Sequence, residues 1–319
     1  MRDIEKGDPQ VDAIVAVIVS AAPDVLLIQG FDHDLEGHAL AAFADQLADA
    51  GLDLLYRYAG RPNTGVQVGA DMDGDGRLGE PEDALSYGAF RGQGGAALLS
   101  AFPLGVPKDM TALLWAELPF ARLPQVDGAP YYSPEILAQL PLSSVVHWDV
   151  PVQAPGGWIN VLAWHGQTPV FDGPEDRNGL RGADETLFWQ RYLDGEIEER
   201  TEGPFVLMGT SNIDPVDGDG RHEAMRSLLN DPRLTDPAPA SAGAKEAADP
   251  DHSGDPALDT VSYANPGPGN LRIDYVLPSS ALDVVDAGVV WPTSDDPFAE
   301  TVTEASRHRL VWVDVRFPP

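Results

Sequence analysis

Apolar side chains recur along this chain in two spacings, and the spacing predicts the elements. Residues 11–19 carry them densely enough for a buried helix, with Asp8 and Pro9 just ahead as start signals and Pro23-Asp24 as the break. Residues 25–29 are a short apolar run of strand type. Residues 40–54 are a second helix, with Leu40, Phe43, Leu47, Leu52 and Leu55 roughly on one face. Residues 61–93, rich in Gly, Asp and Pro, read as a long acidic insertion. A strand follows at 96–103. Two more, at 145–152 and 158–165, mix β-branched and aromatic residues with polar alternation. Helices are predicted at 184–192 and 223–229, flanking a strand at 205–209. Residues 235–269 turn to Pro, Ala and Ser and read as a loop, and strands at 272–277, 284–291 and 310–315 close the chain. Strands separated by helices, with no internal repeat and no break in composition, predict one α/β layered domain over residues 1–319.

Composition narrows this further. Apolar residues make up 43% of 319, enough for a globular core. No run approaches the ~18 apolar residues that span a bilayer, so no membrane partner is expected. Met1-Arg2-Asp3-Ile4-Glu5-Lys6 has no apolar signal core. Cysteine is absent, which excludes disulfides and thiolate chemistry. The net charge of -31 repels a phosphate backbone, so general nucleic-acid binding is not expected. Such a surface reads as a salt-tolerant coat or as cation-binding.

One segment favours the second reading. Asp71-Met72-Asp73-Gly74-Asp75-Gly76-Arg77-Leu78-Gly79-Glu80-Pro81-Glu82 follows the twelve-position calcium loop. Oxygen donors come at one, three and five, glycine at six and an acid at twelve. Asp71, Asp73, Asp75 and Glu82 are thus candidate ligands of a structural Ca²⁺. Pro81 and the lack of flanking helices depart from the pattern, and the alternative is a solvated acidic turn.

Six short motifs, in order, carry a family resemblance. They are Pro23-Asp24-Val25-Leu26-Leu27-Ile28-Gln29-Gly30, Ser100-Ala101-Phe102-Pro103, Val161-Leu162-Ala163-Trp164-His165, Gly209-Thr210-Ser211-Asn212, Arg272-Ile273-Asp274-Tyr275 and Ser306-Arg307-His308-Arg309. With them the chain resembles the endonuclease/exonuclease/phosphatase (DNase I-like) superfamily. Phe171-Asp172-Gly173-Pro174-Glu175-Asp176-Arg177-Asn178-Gly179 resembles a feature of one bacterial branch. The resemblance implies a four-layer α/β sandwich of two packed, mixed, mostly antiparallel sheets flanked by helices. It also implies hydrolysis of a phosphoester substrate with Mg²⁺ or Mn²⁺.

The resemblance places a metal-binding Glu, a water-activating Asp and a histidine-orienting Asp at positions that here read Gly30, Thr210 and Arg307. His165, Asn212, Asp274 and His308 remain as the implied cleft residues. Two functional expectations follow: an inactive or weakly active member, or an active hydrolase that uses Asp32, Asp34 or Asp214 instead. The family's first strand should precede residue 11, where none is read. A sheet edge is therefore expected to stand open, with that strand and an export signal expected upstream; otherwise the chain reads as cytoplasmic.

Overall fold

The computed structural model describes residues 2–200, 202–263 and 267–318. Successive side chains of a strand point to opposite faces, and here both faces find apolar partners. On the strand Gly95–Ser100, Ala96 and Leu98 meet Trp148, Val150, Val161 and Ala163 of a second sheet. Ala97 and Leu99, one residue out of step, meet Ile18, Phe43 and Leu47 of helices. On the second sheet Leu162, Trp164 and Leu207 turn outward beneath Phe188, Trp189 and Leu228 of other helices. The layers run helix, sheet, sheet, helix, which is the expected sandwich.

The first sheet orders Val25–Phe31, Gly95–Ser100 and Tyr56–Tyr58, all antiparallel. The second orders Asp274–Pro278, Phe205–Thr210, Gly157–His165, His147–Ala154 and Lys108–Asp109. Gly157–His165 and Phe205–Thr210 run parallel, and the helix Arg177–Leu193 makes the crossover that parallel pairing needs. Asp283–Val289 and Val311–Arg316 form a separate antiparallel pair. Among the described residues Val25–Phe31 and Tyr56–Tyr58 are the edge strands of the first sheet, and Asp274–Pro278 and Lys108–Asp109 those of the second.

The elements differ from expectation in places. The crossover helix starts at Arg177, not 184, because Asn178, Gly179 and Gly182 blur its periodicity. Tertiary bonds hold that first turn: the Asp172 carboxylate accepts from Asn178 N at 2.6 Å, and the Asn178 amide donates to Val170 O at 2.8 Å. The second long helix is His38–Asp49, stopped ahead of Gly51. Short helices at Arg2–Lys6 and Ala299–Ala305 and the strand Tyr56–Tyr58 were not expected. Within 235–269 a short helix, Ala242–Glu246, and a strand, Val261–Ser262, interrupt the loop. Residues 264–266 of that stretch lie outside the described ones.

Candidate functional site

Three strand ends meet at one edge of the second sheet. His165 is the register partner of Thr210 on the parallel side, and Thr210 is the partner of Asp274 on the antiparallel side. Adjacent strands lie about 4.8 Å apart, so the three side chains are neighbours. Gly209 makes this approach feasible: at φ +149° a Cβ there would stand 1.9 Å from Trp164 O. The Thr210 amide donates to Gln29 Oε1 at 3.2 Å, which brings the first sheet's strand end to the same place. The chain then turns at Asn212, whose φ of 55° is one that asparagine tolerates. Its side-chain amide donates to Gly166 O at 2.7 Å.

His308 completes the group. Its Nδ1 lies 3.1 and 3.0 Å from the two Asp274 carboxylate oxygens. Thr260 fixes that carboxylate, its hydroxyl donating to Asp274 Oδ2 at 3.0 Å. The acid that faces His308 is therefore Asp274, and the expectation that position 307 carries the histidine-orienting group is corrected. Arg307 instead lays its guanidinium 5.5 Å from the centroid of the Tyr263 ring. The Tyr263 hydroxyl stands 3.5 Å from His308 Nε2. Thr260 and Tyr263 come from the stretch read as featureless loop, and no sequence signal marked them.

The two histidines differ in protonation. Burial pulls the His308 pKa down, but the Asp274 charge and hydrogen bond outweigh it, and the net shift is upward. Burial takes His165 down to about 4, so it is neutral at pH 7. A histidine whose folded pKa is raised adds stability that is complete below its unfolded value of about 6.5 and lost as pH rises through the folded pKa. Asp274→Asn should therefore lower the His308 midpoint in an NMR titration of the imidazole protons and remove that stability. A midpoint that stays above about 6.5 in the variant would contradict the pairing.

None of positions 30, 210 and 307 offers a carboxylate. Gly30 is exposed, in a bulge at φ +70°. The Thr210 hydroxyl is buried and donates to Ile273 O at 3.2 Å. Arg307 brings a cation. The three candidate substitutes are also engaged elsewhere. Asp32 accepts from Gly94 N, Asp34 from Glu36, His38 and Ala39 N, and Asp214 from Val216, Asp217 and Arg272 N. Asp274 supplies the one carboxylate of the strand-end group, and it is already bonded to Thr260 and His308.

The acidic loop stands apart from these strand ends. Asp71 and Asp73 come together with Asp83, one oxygen of each lying within 4.8 Å of the others. Asp75 and Glu82 are not in that set. Asp83 is 2% exposed and accepts from Met72, Gly79 and Glu80 N. Arg177 donates to Met72 O at 3.0 Å, tying the loop to the start of the crossover helix.

The model of the endonuclease/exonuclease/phosphatase family matches residues 2–308. An endonuclease/exonuclease/phosphatase structure from Beutenbergia cavernae is 22% identical, with TM-score 0.57 over 97% of this chain and 66% of its own. This chain thus spans about two thirds of that protein's length. A family protein from Leptotrichia buccalis is 14% identical, with TM-score 0.52 over 97% of this chain and 93% of its own. The human nocturnin catalytic domain is 16% identical, with TM-score 0.52 over 98% and 87%. These likenesses establish the fold. No curated protein matches the chain by sequence.

Proposed function

This chain belongs to the endonuclease/exonuclease/phosphatase family, and from that premise we propose that it is a degenerate member whose cleft keeps the fold and loses the metal-dependent hydrolysis. The observation that carries this reading is the strand-end group itself. The His308–Asp274 pair adjoins Thr210 across the strand ladder and Arg307 along the chain, and neither these positions nor Gly30 holds a carboxylate. The family generally depends on a divalent metal, which neutralises charge on phosphorus and lowers the pKa of its attacking water. Asp32, Asp34 and Asp214 are each anchored by backbone hydrogen bonds, and among the described contacts none of them bonds to His165, Asn212, Asp274 or His308. What this chain's residues retain is recognition: Asn212 and His308 can donate to an oxyanion, and Arg307 adds positive charge beside them. Mn²⁺ binding tests the reading. With the acidic loop disabled by Asp71→Ala and Asp73→Ala, no Mn²⁺ should bind, and saturable binding sensitive to Asp274→Ala would contradict it.

The acidic loop is read separately, as a structural Ca²⁺ site built on Asp71 and Asp73 with Asp83 as a third arm. Ion binding to the folded state alone raises stability by about 2.7 kcal/mol at a hundredfold excess over the dissociation constant. Melting of the intact chain should shift upward with added Ca²⁺, and Asp73→Ala should abolish the shift. An intact chain whose melting ignores Ca²⁺ would leave the loop as a solvated turn.

The surface of net charge -31 makes a small phosphoester a better ligand than a nucleic acid backbone. Among the described residues no helix is long and apolar enough to cross a membrane.

A further inference from the structure

A second concavity lies on the same rim as the cleft and has a different chemistry. It encloses about 730 Å³, within the range of small-molecule sites. Its walls are loops that follow Val25–Phe31, Tyr56–Tyr58 and Lys108–Asp109 or lead into Gly95–Ser100. A shared segment joins it to the cleft. Asn63 in its wall donates to Ser143 O at 2.7 Å, and the hydroxyl of the next residue, Ser144, donates to His165 O at 3.1 Å.

Two arginines, Arg61 and Arg91, line this cavity. The chain has 51 acids against 20 bases, so a guanidinium has many carboxylates to choose from. Among the described side chains every other arginine makes an ion pair, a hydrogen bond or an aromatic contact. Arg61 and Arg91 make none of these, and both border the same space. Neither arginine is neutralised, although the protein's field is strongly negative. Two unpaired guanidinium forks bordering one space offer the charge that a phosphate dianion takes. His33 adds a ring donor, and Pro62 and Val66 add apolar wall. Asp109, also in the wall, accepts from Thr111 N at 3.0 Å and from the Tyr58 hydroxyl at 3.3 Å, and has lone pairs left for a ligand hydroxyl.

We propose that this cavity binds the phosphate group of a small polyhydroxylated phosphomonoester, held between Arg61 and Arg91 with Asp109 receiving a hydroxyl. The site does not depend on whether the cleft hydrolyses anything. The negative surface around it excludes long polyanions, while two local cations admit a compact one.

Calorimetric titration of the whole chain with glucose 6-phosphate at low salt tests it. Saturable binding is expected, weakened at least tenfold, about 1.4 kcal/mol, in the Arg61→Ala/Arg91→Ala variant. Both side chains are exposed and unpartnered, so the variant should melt like the parent. Arg61→Lys/Arg91→Lys should bind with intermediate affinity, keeping charge and losing the forks. Arg57→Ala should leave binding intact, and glucose without its phosphate should not bind. The proposal is overturned by either of two results. These are no saturation by the intact chain up to ~10 mM ligand, or undiminished binding in the double alanine variant.

Discussion

Gly30→Glu, Thr210→Asp and Arg307→Asp combined should give this chain Mg²⁺-dependent hydrolysis of bis-(p-nitrophenyl) phosphate, and no single one of the changes should do so. The three positions act as a unit with the retained His308–Asp274 pair. A metal without a water-activating acid, or the acid without a metal, leaves the reaction short of a step. Groups that work this way are grossly non-additive, and general acid–base assistance alone contributes about 10²- to 10⁴-fold. The combined variant should therefore exceed the best single variant by about that factor. Two costs accompany it. Gly30 sits at φ +70°, where a side chain costs roughly 1–2 kcal/mol. An Asp at the buried position 210 would lie across the strand pair from Asp274, so the two carboxylates repel until a cation separates them. The metal-free triple variant should thus melt below the parent and recover with Mn²⁺. Equal rates in the triple and best single variants would mean that something else in the cleft disables it.

Arg181→Met should destabilise the fold by about 3–5 kcal/mol, a large share of a typical domain's 5–15. Arg181 is 6% exposed and donates to the carbonyls of Leu85, Pro141, Leu142 and Ser143. The substitution leaves those acceptors unpaired and takes the nearby cation from Glu185, itself fully buried and bonded to Ser144 and Gln167 N. Burial raises the Glu185 pKa to about 7, and the Arg181 charge restrains that rise. The folded state therefore holds the Glu185 proton more tightly than the unfolded chain does. Its ionisation costs stability progressively as pH climbs from the ordinary carboxylate range through 7. Without Arg181 that cost grows, so the deficit in urea unfolding should be larger at pH 8 than at pH 5. A pH-independent loss would show that the carbonyl network alone accounts for it.

Much of the architecture was readable in the sequence, because alternation and helical spacing report which faces are buried. Ala96 to Leu99 sort into two cores by parity alone. The residues at the strand ends were readable too, since His165, Thr210 and Asp274 lie at the ends of recognisable strands whose register brings them side by side. Partnerships were harder. Position 307 adjoins His308 in the chain, yet the partner is Asp274, which strand register and Thr260 place there. The calcium template puts an acid at its twelfth position, Glu82. The 3₁₀ turn Pro81–Asp83 instead buries Asp83. Arg61 and Arg91 carry no local signal, because being unpaired is a property of the folded surroundings.

The central claim is that the cleft as it stands lacks metal-dependent chemistry. Its most direct test is the initial rate of bis-(p-nitrophenyl) phosphate hydrolysis by the unaltered chain as Mg²⁺ or Mn²⁺ is titrated in. The account predicts a rate indistinguishable from the metal-only blank at every concentration. A metal-dependent rate that His308→Ala abolishes would contradict it.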